Sequence, residues 1–186
     1  MKHLFFTLFS LMVCTMLRAY DAKIDGIYYN ISGNKATVTY RDAFYDSYKG
    51  DLVIPESISY NGKTYSVTSI GYLAISNCTS LNSITIPKSI TTIEKSAFYW
   101  CPSLTSITIP GSVKSIGNHA FYHCTNLTSV TILDGLTSIG SGAFVECDAL
   151  TSIIIPNSVT SIGGSAFYGC TSLTSIVIPE SVKSIR

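Results

Sequence analysis

Apolar and polar positions alternate along Leu104-Thr-Ser-Ile107-Thr-Ile109-Pro110, with Ile107 and Ile109 on one side and Ser106 and Thr108 on the other. That two-residue period predicts a half-buried β-strand, and β-branched Ile and Thr suit the conformation. Pro110 has no N–H to give to a ladder and ends the strand. Gly111-Ser112 turns the chain, Val113 and Ile116 return apolar groups to the interior, and Gly117-Asn118 turns it again. Ala120-Phe121 plugs the far side, and Cys124 leads into the next strand.

The same order recurs every 23 residues. Cysteines fall at Cys78, Cys101, Cys124, Cys147 and Cys170; phenylalanines at Phe98, Phe121, Phe144 and Phe167; Ile-Pro pairs at 86/87, 109/110, 155/156 and 178/179. One such coil has nothing to bury its apolar groups against, so copies must stack into a solenoid. Parallel strands are predicted near 84–86, 107–109, 130–132, 153–155 and 176–178, with a phenylalanine column on the opposite side. In one coil Leu133-Asp134-Gly135 replaces Pro-x-Ser, which predicts a looser turn.

The N-terminal side modifies the repeat. From Ile54 to Ile86 the step is 32 residues, and the extra segment, 58–66, holds Asn61-Gly62, a strong hairpin signal. Upstream, Ile27–Ile31 and Ala36–Tyr40 flank Ser32-Gly33-Asn34-Lys35 and read as a second hairpin. Residues 20–50 are expected to cap the first coil, with Tyr28, Tyr29, Tyr40, Phe44 and Tyr45 supplying bulk, and the solenoid to occupy 51–186. Residues 1–19 read as a signal peptide: Met1-Lys2-His3 is basic, and the apolar stretch Leu4–Leu17 is shorter than a comfortable membrane span. Cys14 raises a lipidated variant, which the preceding Met12-Val13 disfavours. The last coil stops at Ile185-Arg186 without Ala-Phe-x-x-Cys, which predicts either a weak homodimer through that coil or local disorder from about Ser181.

The pattern Leu-x-x-Ile-x-Ile-Pro-x-x-Val-x-x-Ile-Gly-x-x-Ala-Phe-x-x-Cys, followed from Leu81 to Arg186, resembles the BspA-like, treponemal-type leucine-rich repeats of bacteria. The resemblance implies a mainly β leucine-rich repeat solenoid, placement outside the bacterial cell, and adhesion to host or neighbouring-cell proteins.

Charge narrows the partners. The chain has 12 Lys and Arg against 11 Asp and Glu, and charged residues make up only 12% of it. A binder of nucleic acid or of an anionic membrane should carry a concentrated positive field, so neither is expected, nor is membrane insertion of the mature chain. The stacked cysteines would sit ~4.8 Å apart, but parallel Cβ vectors do not suit a disulfide, so a buried thiol column is expected.

Chemistry is sparse. His119, His123 and Cys124 form a His-x-x-x-His-Cys string, but Cys124 belongs to the interior column and the histidines to exposed slots, so no metal site is expected. His123 and Glu146 share a column one coil apart, which predicts a surface ion pair. The repeated serines lack the His-plus-acid setting of a nucleophile, and no Walker, Rossmann or zinc-finger spacing occurs. No enzyme activity or cofactor is expected. Asn30-Ile-Ser32, Asn77-Cys-Thr79 and Asn126-Leu-Thr128 match a glycosylation pattern that Ser/Thr-rich chains carry by chance.

Two surfaces are candidates for binding. The strand face carries Ser106, Thr108, Ser129 and Thr131, small and uncharged. The opposite rim carries Tyr99, Trp100, Tyr122, His123 and Tyr168, residue types enriched in recognition surfaces. The expected function is an exported or cell-surface binding module for a protein ligand, with host extracellular-matrix or serum proteins as candidates. The alternative is a self-assembling structural protein that uses the last coil.

Overall fold

The computed structural model describes residues 20–42 and 46–185. The signal segment and Cys14 lie outside them, as do Phe44 and Tyr45 of the expected cap. Among the described residues there is no helix. The strands are β1 (Ala22–Ile24), β2 (Ile27–Ser32), β3 (Lys35–Thr39), β4 (Gly50–Val53), β5 (Ser57–Tyr60), β6 (Lys63–Ile70), β7 (Leu81–Thr85) and β8 (Thr92–Ile93). They continue as β9 (Ser106–Ile109), β10 (Ser115–Ile116), β11 (Ser129–Ile132), β12 (Ser138–Ile139), β13 (Ser152–Ile153), β14 (Ser161–Ile162) and β15 (Ser184–Ile185).

Apolar burial at a fixed step closes each coil, and stacking supplies the core. The leucines Leu81, Leu104, Leu127 and Leu150 are fully buried, as are Phe98, Phe121 and Phe144. The phenylalanine rings stack nearly parallel, with centroids 4.8, 5.2 and 5.5 Å apart along Phe98, Phe121, Phe144 and Phe167.

Strands β9, β11 and β13 pair in parallel, Ser106 with Ser129 and Ser129 with Ser152, in the expected register. This sheet shortens toward the C-terminal end: β13 spans two residues, and the copy near 176–178 joins through the single bridge Ile154–Val177. The longer sheet lies elsewhere. It runs β1-β2-β3-β6-β8-β10-β12-β14-β15, with β5 on β6, so the return segments at Ser115–Ile116 and their copies are themselves strands. Sequence pattern missed this column because each copy pairs over two residues, too short for alternation to show.

The expected cap contains the antiparallel hairpin β2–β3, with β1 beside β2 and β3 joined in parallel to β6. The antiparallel pair β5–β6 is the hairpin around Asn61-Gly62. In the cap Tyr28 and Tyr29 are buried and Tyr40 is half-buried. Tyr48, which sequence reading passed over, is also buried; its oxygen accepts from the Tyr28 N–H at 3.2 Å and its hydroxyl donates to the Thr39 carbonyl.

The turn at Leu133-Asp134-Gly135 is held rather than loose. The Gly135 N–H donates to Ser158 Oγ at 3.0 Å, and Lys114 Nζ donates to the Gly135 carbonyl at 3.4 Å. A Cβ at Gly135 would lie 2.0 Å from the Gly111 carbonyl oxygen, and φ there is 125°, so only glycine fits.

The five described cysteines are free and buried. The Cys124, Cys147 and Cys170 thiols donate to the carbonyls of Phe98, Phe121 and Phe144 at 3.2, 3.2 and 3.1 Å, which ties each coil to the one before. Burial pushes the Cys101, Cys147 and Cys170 thiols up, which suppresses the reactive thiolate. The hydrogen bond with the Cys101 thiol instead pulls Cys78 down, so that its protection rests on burial alone. Native, reduced protein is therefore expected to label slowly with a thiol reagent and fully once unfolded. Rapid labelling of several thiols under native conditions would contradict a closed column.

Candidate functional site: an aromatic rim

The rim is built by the turn that carries Ala-Phe in each coil. Alternate amides there donate forward to the next coil: Ser96 to Asn118, Phe98 to Ala120 and Trp100 to Tyr122, at 2.7–2.9 Å. The same ladder continues from His119, Phe121 and His123 to Ser141, Ala143 and Val145. To make it, two positions per coil take left-handed backbone. One is Asn77, Trp100, His123, Glu146 and Gly169, with φ of 54–75°. Non-glycine residues resist that region by about 1–2 kcal/mol, so Trp100, His123 and Glu146 stand where the backbone itself prefers Gly or Asn. The presence of Asn77 and Gly169 in this column was the available sequence signal.

This backbone sets the side chains in two outward columns. Tyr99 and Tyr122 stack face to face, centroids 4.7 Å apart and planes within 6°. Trp100 meets His123 edge-on at 5.6 Å, and Tyr122 lies 5.9 Å from His123. His123 Nδ1 is 2.8 Å from Glu146 Oε2, the expected ion pair. Both side chains are more than a third exposed, so the pair contributes little to stability. Its role is orientation: it fixes the carboxylate beside the rings. The Glu146 carboxylate in turn pushes the Tyr122 phenol up. Trp100 is 50% exposed and Tyr168 68%, so the rings do not simply fold over the coil edge.

The other singled-out residues sit apart from the rim. Ser106, Thr108, Ser129 and Thr131 are exposed on the β9–β11 face, separated from the rim along each coil by the buried Cys124 and Leu127. That face is not wholly polar: Ile154 and Val177, in the next two coils, are 81% and 80% exposed. His119 does not converge with His123 on Cys124. Its ring reaches over Gly142 toward Tyr122, 6.0 Å away, while the Cys124 thiol points inward to Phe98. No group of three or more His, Cys, Asp or Glu side chains placed to hold a metal occurs among the described residues.

Sequence reading also missed a groove of about 350 Å³ on the ten-stranded sheet, lined by Asn118, Ser138, Gly140, Ser141, Ser161 and Gly163. Its signal was the repeated Ser-Ile-Gly at 115–117, 138–140 and 161–163. Cβ atoms at Gly117, Gly140 and Gly163 would lie 2.3–2.6 Å from the backbone of the preceding coil, so glycine lets the coils approach there.

Residues 37–158 and 91–186 match the family model described as BspA type leucine rich repeat region, in six copies. Among solved structures, a leucine rich cell surface protein of Faecalibacterium prausnitzii is 31% identical with TM-score 0.64, covering 88% of this chain and 50% of that one. A leucine rich repeat protein of T. pallidum is 25% identical with TM-score 0.66, covering 86% of this chain and 83% of that one. A leucine-rich repeat protein of Bacteroides ovatus is 26% identical with TM-score 0.53, covering 89% and 55%. The chain thus spans about half the length of the Faecalibacterium and Bacteroides proteins. No curated protein matches it.

Proposed function

This chain belongs to the BspA-type leucine-rich repeat family, and from that premise we propose that it is an exported or cell-surface module that binds a protein partner through its aromatic rim. The observation that carries the reading is the rim itself: Tyr99 is stacked on Tyr122, Trp100 meets His123 edge-on, and Trp100 and Tyr168 are exposed. Rings already held in place lose little side-chain freedom on binding, and Trp and Tyr dominate measured recognition energies. The strand face offers only small hydroxyl and aliphatic groups, with no anchor of comparable size. Placement outside the cell rests on the apolar segment at Leu4–Leu17 and on the Faecalibacterium relative, which is described as a cell surface protein. Among the described residues no helix is long and apolar enough to cross a membrane.

Host extracellular-matrix or serum proteins are the partners to try first. Immobilised wild type should bind at least one purified protein of such a panel, and Trp100→Ser with Tyr122→Ser should weaken that binding about a hundredfold, the scale of two lost anchors. Thr108→Lys with Thr131→Lys on the strand face should leave it unchanged. Binding that survives the rim pair and fails with the strand-face pair would move the site to the β9–β11 sheet.

A further inference from the structure

The two rim columns are incomplete at one place. In the tyrosine column the fixed step runs Tyr99, Tyr122, Val145, Tyr168, so one ring is missing. Tyr99 and Tyr122 show how rings lie in this column, flat across the stacking axis. Val145 is short and 8% exposed, and forms a floor where the third ring would stand. Two coil steps separate Tyr122 from Tyr168, roughly 9.6 Å at the spacing of paired strands. One planar group with a van der Waals contact on each face takes about 7–8 Å.

The neighbouring column defines the charge of that gap. It runs Trp100, His123, Glu146, Gly169, so Glu146 flanks the missing ring in the same coil and Gly169 puts no side chain beyond it. A carboxylate has about four lone-pair positions; His123 and the Tyr122 hydroxyl occupy two of them, which leaves two for a partner's fork of donors. Neither column contains Lys or Arg, and the nearby Asp148 adds a second exposed negative charge. The gap therefore lies between the Tyr122 ring and the exposed Tyr168 two coils on, with Val145 beneath it, the His119 ring alongside at Gly142 and the Glu146 carboxylate at its side.

We propose that this gap receives an arginine side chain of the protein partner, stacked between Tyr122 and Tyr168 and paired with Glu146. The inference rests on the reading of the rim as a protein-binding surface. Arginine fits better than lysine because its guanidinium is planar, stacks on aromatic faces and presents a fork of donors to a carboxylate. A lysine ammonium is a compact, strongly hydrated point charge that leaves the slot unfilled.

Trp100 is the chain's one tryptophan and touches His123, so its fluorescence reports on the site. Capped Gly-Arg-Gly, Gly-Lys-Gly and Gly-citrulline-Gly peptides would be titrated against the whole protein. The arginine peptide should give a saturable change in the millimolar range, and the other two should bind at least about tenfold more weakly. Glu146→Gln and Val145→Tyr should each weaken the arginine peptide at least about tenfold, the second by placing a ring in the slot. Val145→Tyr should leave the thermal midpoint unchanged or raised, which separates slot filling from misfolding. Equal response to the arginine and lysine peptides, no saturable response, or undiminished binding by folded Val145→Tyr would each overturn the proposal. If a protein partner loses binding with the Trp100/Tyr122 pair but keeps it with Glu146→Gln and Val145→Tyr, rim recognition stands and the arginine slot falls.

Discussion

Phe121→Ala is expected to lower the unfolding free energy by about 3–5 kcal/mol, the range for deleting a buried phenylalanine ring. Phe121 is fully buried and stacked on both sides, 4.8 Å from Phe98 and 5.2 Å from Phe144. The cavity cannot readily collapse, because the amides of His119, Phe121 and His123 hold the next coil at fixed spacing. Phe167 supplies the contrast: it is only partly buried and its described ring contact is Phe144, at 5.5 Å. Phe167→Ala should therefore cost less, about 1–2 kcal/mol by the area it covers. Urea unfolding of the two variants measures the difference. Equal losses, or a loss below 1 kcal/mol for Phe121→Ala, would mean that the ring column is not the centre of the core.

Stability is expected to fall steeply above about pH 8.5. An unfolded cysteine ionises near that value, while burial holds the folded Cys101 and Cys147 thiols well above it. Below about pH 8.5 both states keep these protons, and the contribution is fully present. As pH rises further the unfolded chain releases protons that the folded chain retains, so the folded state loses ground. Cys101 and Cys147 alone give roughly 2.7 kcal/mol per pH unit, or about 5–10 °C in the thermal midpoint at this chain length, and Cys170, also raised by burial, acts in the same direction. Above pH 10 the buried Tyr29 and Tyr48, both also raised by burial, act in the same direction. Melting under reductant at pH 7.5, 9 and 10 tests the slope, and Cys101→Ala with Cys147→Ala should flatten it. A midpoint that holds to pH 10 would show that the thiols ionise inside the folded protein.

The repeat, the strand at Ser106–Ile109 with its copies, the stacked phenylalanines and the His123–Glu146 pair were all legible in sequence. Each depends on which residue recurs at a step of 23, and stacking turns equal position into contact. That logic also placed Tyr99, Trp100, Tyr122, His123 and Tyr168 along one rim. Tertiary structure alone decided the rest, because those features live in backbone geometry between coils. The short strands at Ser115–Ile116 and its copies exist only through pairing with neighbours. The left-handed backbone under Trp100, His123 and Glu146 is imposed by forward hydrogen bonds that no local propensity favours. In sequence Val145 is one more apolar residue; the flat stacking of Tyr99 on Tyr122 is what gives its short side chain meaning in that column. Periodicity determines which residues share a column, whereas the orientation of each side chain in that column follows from dihedrals that the neighbouring coils enforce.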